Sequence, residues 1–581
     1  MASEAGKTLE QADPEVSEAI DFVRYYSERA RELDDVDGAE HVPVALTVVT
    51  PPWNFPVAIP CGSMVAALAA GSAVVAKPAP QAARCGSVVV QALWDAGVPA
   101  DLLQLAHVEE GELGQALVAD PRVDRVILTG AYATAELFRS FRPDLPLLAE
   151  TSGKNAIVVT PSADLDLAVK DVVASAFGHA GQKCSAASLV ILVGGVARSR
   201  RFRAQLVDAV SSLKVGLPSD PTATVGPLIE PASGKLLEAL TTLRDGERWL
   251  VEPRRLDEEG RLWTPGVLEG VQPGSTTHRV EFFGPVLGIM TAETLEEALA
   301  IQNGVDYGLT AGLHSLDPAE IGQWLEGVQA GNLYVNRGIT GAIVRRQPFG
   351  GWKKSAVGTG TKAGGPHYLV GLSDWRPRPS TSTAAPKGVA SRLVDAAVAD
   401  GLPADDIARV QRSFASDAAV WDSLLGVPVD PSGLTVERNV LRHVPVPVAV
   451  RAGAGASVAD VVRIVGAGLV AGSAVEVSVA DPLPEHVTAA LADGGVEVAV
   501  EPLDAWREHL ARWDGPSRLR ALGDERGVVE AATGGRPDLA VHAGPVTEAG
   551  RVELLPFVHE QAISITAHRF GTPDHLTDAL L

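Results

Sequence analysis

The chain has 581 residues and a mass of 60.5 kDa, enough for several domains with substantial cores. Its 49 lysines and arginines against 72 aspartates and glutamates give a formal charge of −23, which argues against a general nucleic-acid binder. With 46% hydrophobic and 21% charged residues, most of the chain is not intrinsically disordered.

Residues 14–33 read as an amphipathic helix, with Val16, Ala19, Ile20, Phe22 and Val23 at helical spacing and Pro14 in the first turn. Strand-like runs follow at Val42–Val49, Ala73–Ala76, Leu103–Ala106 and Arg125–Leu128. They alternate with helical stretches at 57–70, 81–95 and 111–119. Such alternation predicts an α/β fold with a parallel sheet. A second α/β stretch covers 153 to about 335. The Pro-, Ser- and Thr-rich segment between Trp375 and Gly388 reads as a linker.

Beyond it, strand patterns at Val444–Ala452, Ala474–Ala480, Val496–Glu501, Leu539–His542 and Ala562–Thr566 enclose helical patterns near 457–471, 484–493 and 504–512. This unit echoes the first. His41-Val-Pro-Val-Ala-Leu is similar to His443-Val-Pro-Val-Pro-Val, and Leu68-Ala-Ala-Gly-Ser-Ala-Val-Val to Leu469-Val-Ala-Gly-Ser-Ala-Val-Glu. The echo is either shared Ala/Gly/Val bias or a degenerate internal copy. As a copy it would be chemically silent, with Ser478 near the place of Lys77 and no cysteine after Cys184. The unit is expected to bind no nucleotide and to serve assembly or cover the site entrance. Its terminal Glu560–Thr566 stretch would pair with a sheet edge.

Three scattered cysteines, Cys61, Cys85 and Cys184, argue against a disulfide framework and a cysteine zinc site, and suit a reducing compartment. No metal ligand set is read from the sequence. Without a signal-peptide core or an apolar run of the roughly 18–20 residues a membrane helix needs, a cytoplasmic protein is expected. Cys184 follows Gly181-Gln-Lys and precedes small residues resembling a helix start, where a helix N-terminus and a lysine would lower a thiol pKa. The alternative is a buried small hydrophobe, the reading that fits Cys61 and Cys85. Glu150 ends a strand-like run, where it can reach a ligand pocket or stay solvated. Asn54, between prolines, is an oxyanion donor or an Asx turn. Lys77 closes a strand and can meet a ribose or phosphate. The Leu128-Thr129-Gly130 turn offers amides to a pyrophosphate.

Together Pro52-Trp-Asn-Phe-Pro, Lys77-Pro-Ala, Leu128-Thr-Gly, Glu150-Thr-Ser-Gly-Lys-Asn, Gly181-Gln-Lys-Cys, Glu281-Phe-Phe-Gly-Pro and Pro348-Phe-Gly-Gly resemble the aldehyde dehydrogenase superfamily in order and spacing over about 10–372. Glu18-Ala-Ile-Asp-Phe, Gly181-Gln-Lys-Cys-Ser-Ala, Thr340-Gly-Ala-Ile-Val and Lys362-Ala-Gly-Gly-Pro resemble its L-glutamate γ-semialdehyde (1-pyrroline-5-carboxylate) dehydrogenases. The post-linker region resembles the silent C-terminal domain of some bifunctional proline-utilisation proteins.

The resemblance implies a Rossmann-type coenzyme domain over 1–152, a catalytic domain over 153–335 and a substrate-anchor loop and return segment over 336–374. A linker at 375–388 and a silent aldehyde dehydrogenase-like domain over 389–581 would follow. It also implies NAD-dependent oxidation of glutamate semialdehyde in proline degradation, in a homo-oligomer with a proline dehydrogenase as candidate partner. Cys184 would be the nucleophile, Asn54 and the Cys184 amide the oxyanion donors, and Glu150 the base for thioester hydrolysis. Lys77, Thr129, Gly130, Glu281, Phe283 and Trp53 would bind the cofactor; Ser185, Gly341, Ala342, Phe349 and Glu18 would bind the substrate. Ala131, Thr151-Ser152 and Pro80 depart from the usual pattern around the cofactor. The family pattern begins roughly a hundred residues before Glu4, so an incomplete coenzyme domain with uncovered apolar faces is expected. A truncated, catalytically impaired scaffold is the competing reading, and a thiol acyltransferase lacks an evident base, since only His179 lies near Cys184 in sequence.

Overall fold

The computed structural model describes residues 1–581. Three sheets organise the chain. The first places the strands Ala356–Val357, Leu147–Glu150, Arg125–Thr129, Leu46–Thr50, Ala73–Ala76 and Leu103–Leu105 side by side, the last five parallel. In chain order those five take the spatial order 3-2-1-4-5. The strand order reverses between Leu46–Thr50 and Arg125–Thr129, the place where open α/β sheets take ligands at the carboxyl ends of their strands. Helices Ala58–Ala69, Ala83–Asp95 and Glu112–Ala119 lie close to their expected ranges.

Three expectations shift here. The run Val42–Val49 is two strands, Ala39–Val42 and Leu46–Thr50, because Pro43 supplies no N–H to continue a ladder. The first long helix runs Leu9–Arg29 rather than 14–33; it starts after Thr8, and Pro14 lies inside it. Its buried face is Glu15, Ala19, Phe22 and Tyr26, whereas Val16 and Ile20 are 45% and 48% exposed. With Val57, Cys61 and Val88 these two line an open apolar groove.

The second sheet has nine strands. In spatial order they are Glu437–Pro445, Val558–Thr566, Asn332–Val335, Thr310–His314, Asn155–Val159, Ala187–Val193, Val286–Ala292, Gly266–Glu269 and Arg248–Val251. The outer two come from beyond the linker, so residues 389–581 do not form a separate body. Val558–Thr566 pairs in parallel with Asn332–Val335, and Glu437–Pro445 adds antiparallel outside it. The core of this sheet includes Val440, Ile563 and Ile565, so it is completed by post-linker residues. The linker is also less free than expected. Trp375 to Pro377 belong to a strand paired with Ala39–Val42, and Ser380, Thr381 and Ser382 bond to Asp37.

The third sheet, Val498–Val500, Val475–Val479, Val448–Ala452, Arg518–Leu522 and Ala540–His542, is all parallel and again has the order 3-2-1-4-5. The topology matches the first sheet and supports the internal copy over a compositional echo. Arg518–Leu522 was not expected as a strand: two arginines interrupt its apolar pattern, and both are buried.

Candidate active site

Parallel strands that are buried along their length end in loops at one edge, and the predicted cofactor residues collect there. Trp53 follows Leu46–Thr50, Lys77 follows Ala73–Ala76, and Thr129 and Gly130 end Arg125–Thr129 and open the helix Tyr132–Phe141. An added Cβ at Gly130 would meet only Leu128, at 3.4 Å, so the turn is uncrowded. Glu281 and Phe283 approach from the second sheet's side. Glu281 accepts the Gly153 N–H at 3.0 Å, and burial pushes its carboxyl up. Phe283, held at φ 58°, meets Trp53 edge to face with ring centroids 5.6 Å apart. A reversal of strand order, an aromatic pair, a strand-end lysine and a helix N-terminus together fit a dinucleotide.

Cys184 sits in a turn between the helix Leu165–Phe177 and the strand Ala187–Val193. No helix begins after it: the β-branched and leucine run 189–193 makes this segment a central strand. The thiol is correspondingly not activated as expected. Burial first, and then the Glu150 and Glu281 carboxylates, push it up to about 12. Lys183 does not offset this; its own burial lowers it to about 8. The turn is held from several sides. Asn155 Nδ2 donates to the carbonyls of Cys184 at 2.7 Å and Ala186 at 3.0 Å, its Oδ1 accepts the Thr310 N–H, and Thr310 Oγ1 donates to the Ser185 carbonyl. Gly153 lies so close that a Cβ there would fall 2.5 Å from the Cys184 carbonyl.

Asn54 is buried beside this turn and donates its amide to the Gln182 carbonyl at 3.0 Å. Its own carbonyl accepts Lys7 Nζ at 2.9 Å. Lys7 pairs with Glu15, which accepts the N–H groups of Val57 and Ala58. A buried ion pair thus fixes the Trp53–Asn54 loop. His179, also buried, leaves both ring nitrogens without partners, and burial holds its pKa well below 6.5.

Cys184, Ser185, Glu150, Glu18, Gly341, Ala342 and Phe349 line one cavity of about 90 Å³. The other walls are mostly aromatic and small, with Phe22, Tyr26, Phe55, Tyr368, Gly62 and Ala363, and Thr129, expected at the cofactor, also reaches this cavity. Burial raises Glu150 to about 7, against the opposing pull of Lys362 and the Ala363 N–H. Burial, reinforced by Glu15, likewise raises Glu18 to about 7. Gly341 adopts φ +82°, a backbone glycine accepts without strain. The seven predicted catalytic and substrate residues other than Asn54 therefore share this cavity and come from four distant segments. Sequence reasoning missed Asn155, Thr310, Lys7, Glu15, Tyr26 and Lys362. Of these Asn155 and Lys362 had a signal, their places in the Glu150-to-Asn155 and Lys362-Ala-Gly-Gly-Pro motifs.

With this geometry the chain belongs to the aldehyde dehydrogenase family, whose pattern matches residues 1–375. It is 37% identical over 389 residues to the 1-pyrroline-5-carboxylate dehydrogenase of Geobacillus sp. (strain WCH70), covering 64% of this chain and 75% of that protein. It is 38% identical over 415 residues to the bifunctional protein PutA of Klebsiella aerogenes, covering 68% of this chain and 31% of that one. Among solved structures, proline utilization A from Corynebacterium freiburgense aligns over 98% of this chain and 55% of its own, with TM-score 0.86 and 46% identity. A 1-pyrroline-5-carboxylate dehydrogenase from Thermus with bound NAD aligns over 64% of this chain and 75% of its own, with TM-score 0.60 and 34% identity. The chain thus spans about half the length of the first of these structures and about a third of the Klebsiella protein. No helix is long and apolar enough to cross a membrane.

Proposed function

We propose that the chain oxidises L-glutamate γ-semialdehyde to L-glutamate with NAD, in proline degradation, through a thioester on Cys184. The observation that carries this reading is the cavity that joins Cys184, Glu150 and the Gly341–Ala342 loop. The relatives named 1-pyrroline-5-carboxylate dehydrogenase support the substrate, and the neighbour with bound NAD supports the cofactor. Lys77, Trp53, Thr129, Gly130, Glu281 and Phe283 would hold that cofactor. NAD, when bound, accepts the hydrogen and electron pair whose loss turns the hemithioacetal on Cys184 into a thioester.

The residues of the chain do the rest. The thiol lies high, so its proton must be taken as it attacks the aldehyde carbon. Glu150, near neutrality and in the same cavity, is the base at hand. The Asn54 amide and the Cys184 N–H hold the oxygen as it gains charge. Glu150 releases the thiol proton to solvent and then, ionised again, removes a proton from the water that hydrolyses the thioester. The amides of Gly341 and Ala342 and the Ser185 hydroxyl bind the substrate carboxylate, Phe349 packs on its aliphatic part, and Glu18 faces the substrate. A proline dehydrogenase partner and a homo-oligomer complete the proposal; the proline-utilisation relatives support the former.

The test is Cys184→Ala assayed for NADH formation at saturating aldehyde. Loss of turnover is expected, and activity near wild type overturns the assignment.

A further inference from the structure

We propose that His367, His443 and Glu560 form a site for one divalent transition-metal ion of the zinc class, pinning the post-linker strands to the dehydrogenase part of the chain. The three residues are far apart in sequence. His443 lies on Glu437–Pro445 and Glu560 on Val558–Thr566, where they are direct cross-strand partners. His367 precedes the short helix Tyr368–Gly371, whose Tyr368 lines the substrate cavity. One ligand atom from each residue lies within 4.8 Å of the others. Bond lengths of about 2.0–2.2 Å place ligands of one tetrahedral ion about 3.3 Å apart, so side-chain adjustments on the order of 1 Å close the set.

The second observation is an excess of unpartnered polar atoms. Both ring nitrogens of His367, both of His443, and Oε1 of Glu560 have no hydrogen-bond partner. His367 is fully buried, and the side chains of His443 and Glu560 are 2% and 3% exposed. Buried polar atoms are ordinarily paired, and a shared ion would satisfy one on each residue. The surroundings suit ligation. Each imidazole is enclosed by protein with ring nitrogens that no other group engages, so each can turn one toward a shared ion. The other carboxylate oxygen of Glu560 accepts the Lys362 N–H at 2.6 Å, which orients it, and the Leu425 carbonyl stands beside the His443 ring.

Charge narrows the choice of ion. Lys362 and Arg518 act on Glu560, and Arg551 on His367. Arg518 is engaged by the carbonyls of Pro556 and Val558, and Lys362 Nζ by Asn332. With three cations near and one carboxylate present, a hard oxygen-seeking ion such as Ca²⁺ or Mg²⁺ has too few ligands. Two imidazoles and one carboxylate match zinc or cobalt, with a fourth position for water. The competing occupant is a proton shared between Glu560 and His443, whose Nε2 and Oε1 stand 3.9 Å apart.

The test uses the full chain without a polyhistidine tag, stripped with chelator and reloaded with Zn²⁺ or Co²⁺ alone. Mass spectrometry should find one tightly held ion per chain. The Co²⁺ form should show a tetrahedral visible spectrum without sulfur-to-metal charge transfer, and Zn²⁺ should raise the thermal midpoint. His367→Gln and His443→Gln should lose the ion, the spectrum and the shift, while Cys184→Ser keeps all three. Glu560→Gln serves where a histidine variant fails to fold. A wild-type chain that retains no more metal than the variants, or folded variants that bind as wild type does, overturns the site and leaves the shared proton.

Discussion

Replacing Glu150 by glutamine separates two consequences of burying a base. The carboxyl rises from 4.5 to about 7 in the folded chain, chiefly through burial. Below pH 4.5 both folded and unfolded chains hold the proton. Between 4.5 and 7 the folded chain holds one proton more, so stability falls as pH rises, and above 7 the loss is complete. At roughly 1.4 kcal/mol per tenfold in proton affinity, the full loss is about 3 kcal/mol. Glu150→Gln removes it, so the variant should unfold at higher urea than wild type at pH 8 and at nearly the same urea at pH 5. Catalysis should move the other way. Wild-type turnover should fall about tenfold per pH unit below 7, as the base is protonated. The variant should lose the first-turnover burst of NADH along with the steady state, each by about 100-fold or more, because the same carboxylate takes the thiol proton and the water proton. A stability gap that is the same at pH 5 and pH 8, or a flat wild-type pH profile from 6 to 8, refutes the reasoning.

Asn155→Ala releases the carbonyls of Cys184 and Ala186. We expect kcat to fall by about 10- to 100-fold with little change in KM, because the nucleophile is misplaced rather than the substrate unbound; an unchanged kcat refutes this. An uncharged aldehyde of the same length as glutamate semialdehyde should show kcat/KM lower by about tenfold or more, since it leaves the Gly341–Ala342 amides and Ser185 without their anion; equal values in a competition assay remove the carboxylate site. Arg463 donates to both oxygens of Asp417 at 2.6 and 2.9 Å with both side chains buried. Arg463→Met should cost about 3–5 kcal/mol by leaving that carboxylate unpaired, and Asp417→Leu in the same chain should recover most of it, as read by urea unfolding.

Much of the first unit was legible because its sequence patterns are local. Valine and alanine runs of four or five residues between helical stretches can only be buried parallel strands, and their ends then locate Lys77, Thr129 and Glu150 without knowledge of any contact. The Cys184 turn was not legible in the same way. Its glycine and alanine neighbours imitate a helix start, and burial, which decides the thiol's proton affinity, depends on walls from Phe22, Phe55 and Tyr368 that no local pattern announces. Val444–Ala452 failed for another reason. It straddles two strands of different sheets, Glu437–Pro445 and Val448–Ala452, because Val444, Val446, Val448 and Val450 keep one alternating pattern while the chain crosses from one sheet to the next. Lys7 and Glu15 act through backbone groups of the distant loop at 53–58, so their residue types carried no sign of the role.

The shared 3-2-1-4-5 order makes the difference between the two units a matter of what fills the crevice at the strand ends. In the first unit Lys77, Trp53 and the Thr129–Gly130 turn follow those strand ends. In the second, Arg451 lies on the central strand and is fully buried. It donates to Ser478 at 2.8 Å and to the Glu501 carbonyl at 2.9 Å, and its guanidinium lies 5.0 Å from the Trp506 ring. A protein cation and an indole thus occupy space beside the strand that matches Leu46–Thr50, and a nucleotide would have to displace both from contacts that hold a buried charge. The second unit contributes at its margin instead. Its strand Val558–Thr566 covers the edge left by Asn332–Val335, and the new outer strand carries Arg438, Arg442 and Pro445, residues that discourage another chain from adding to it. An open parallel edge beside the active-site sheet is a liability for aggregation, so a copy that loses its ligand site can still stabilise the sheet on which Cys184 and Asn155 depend.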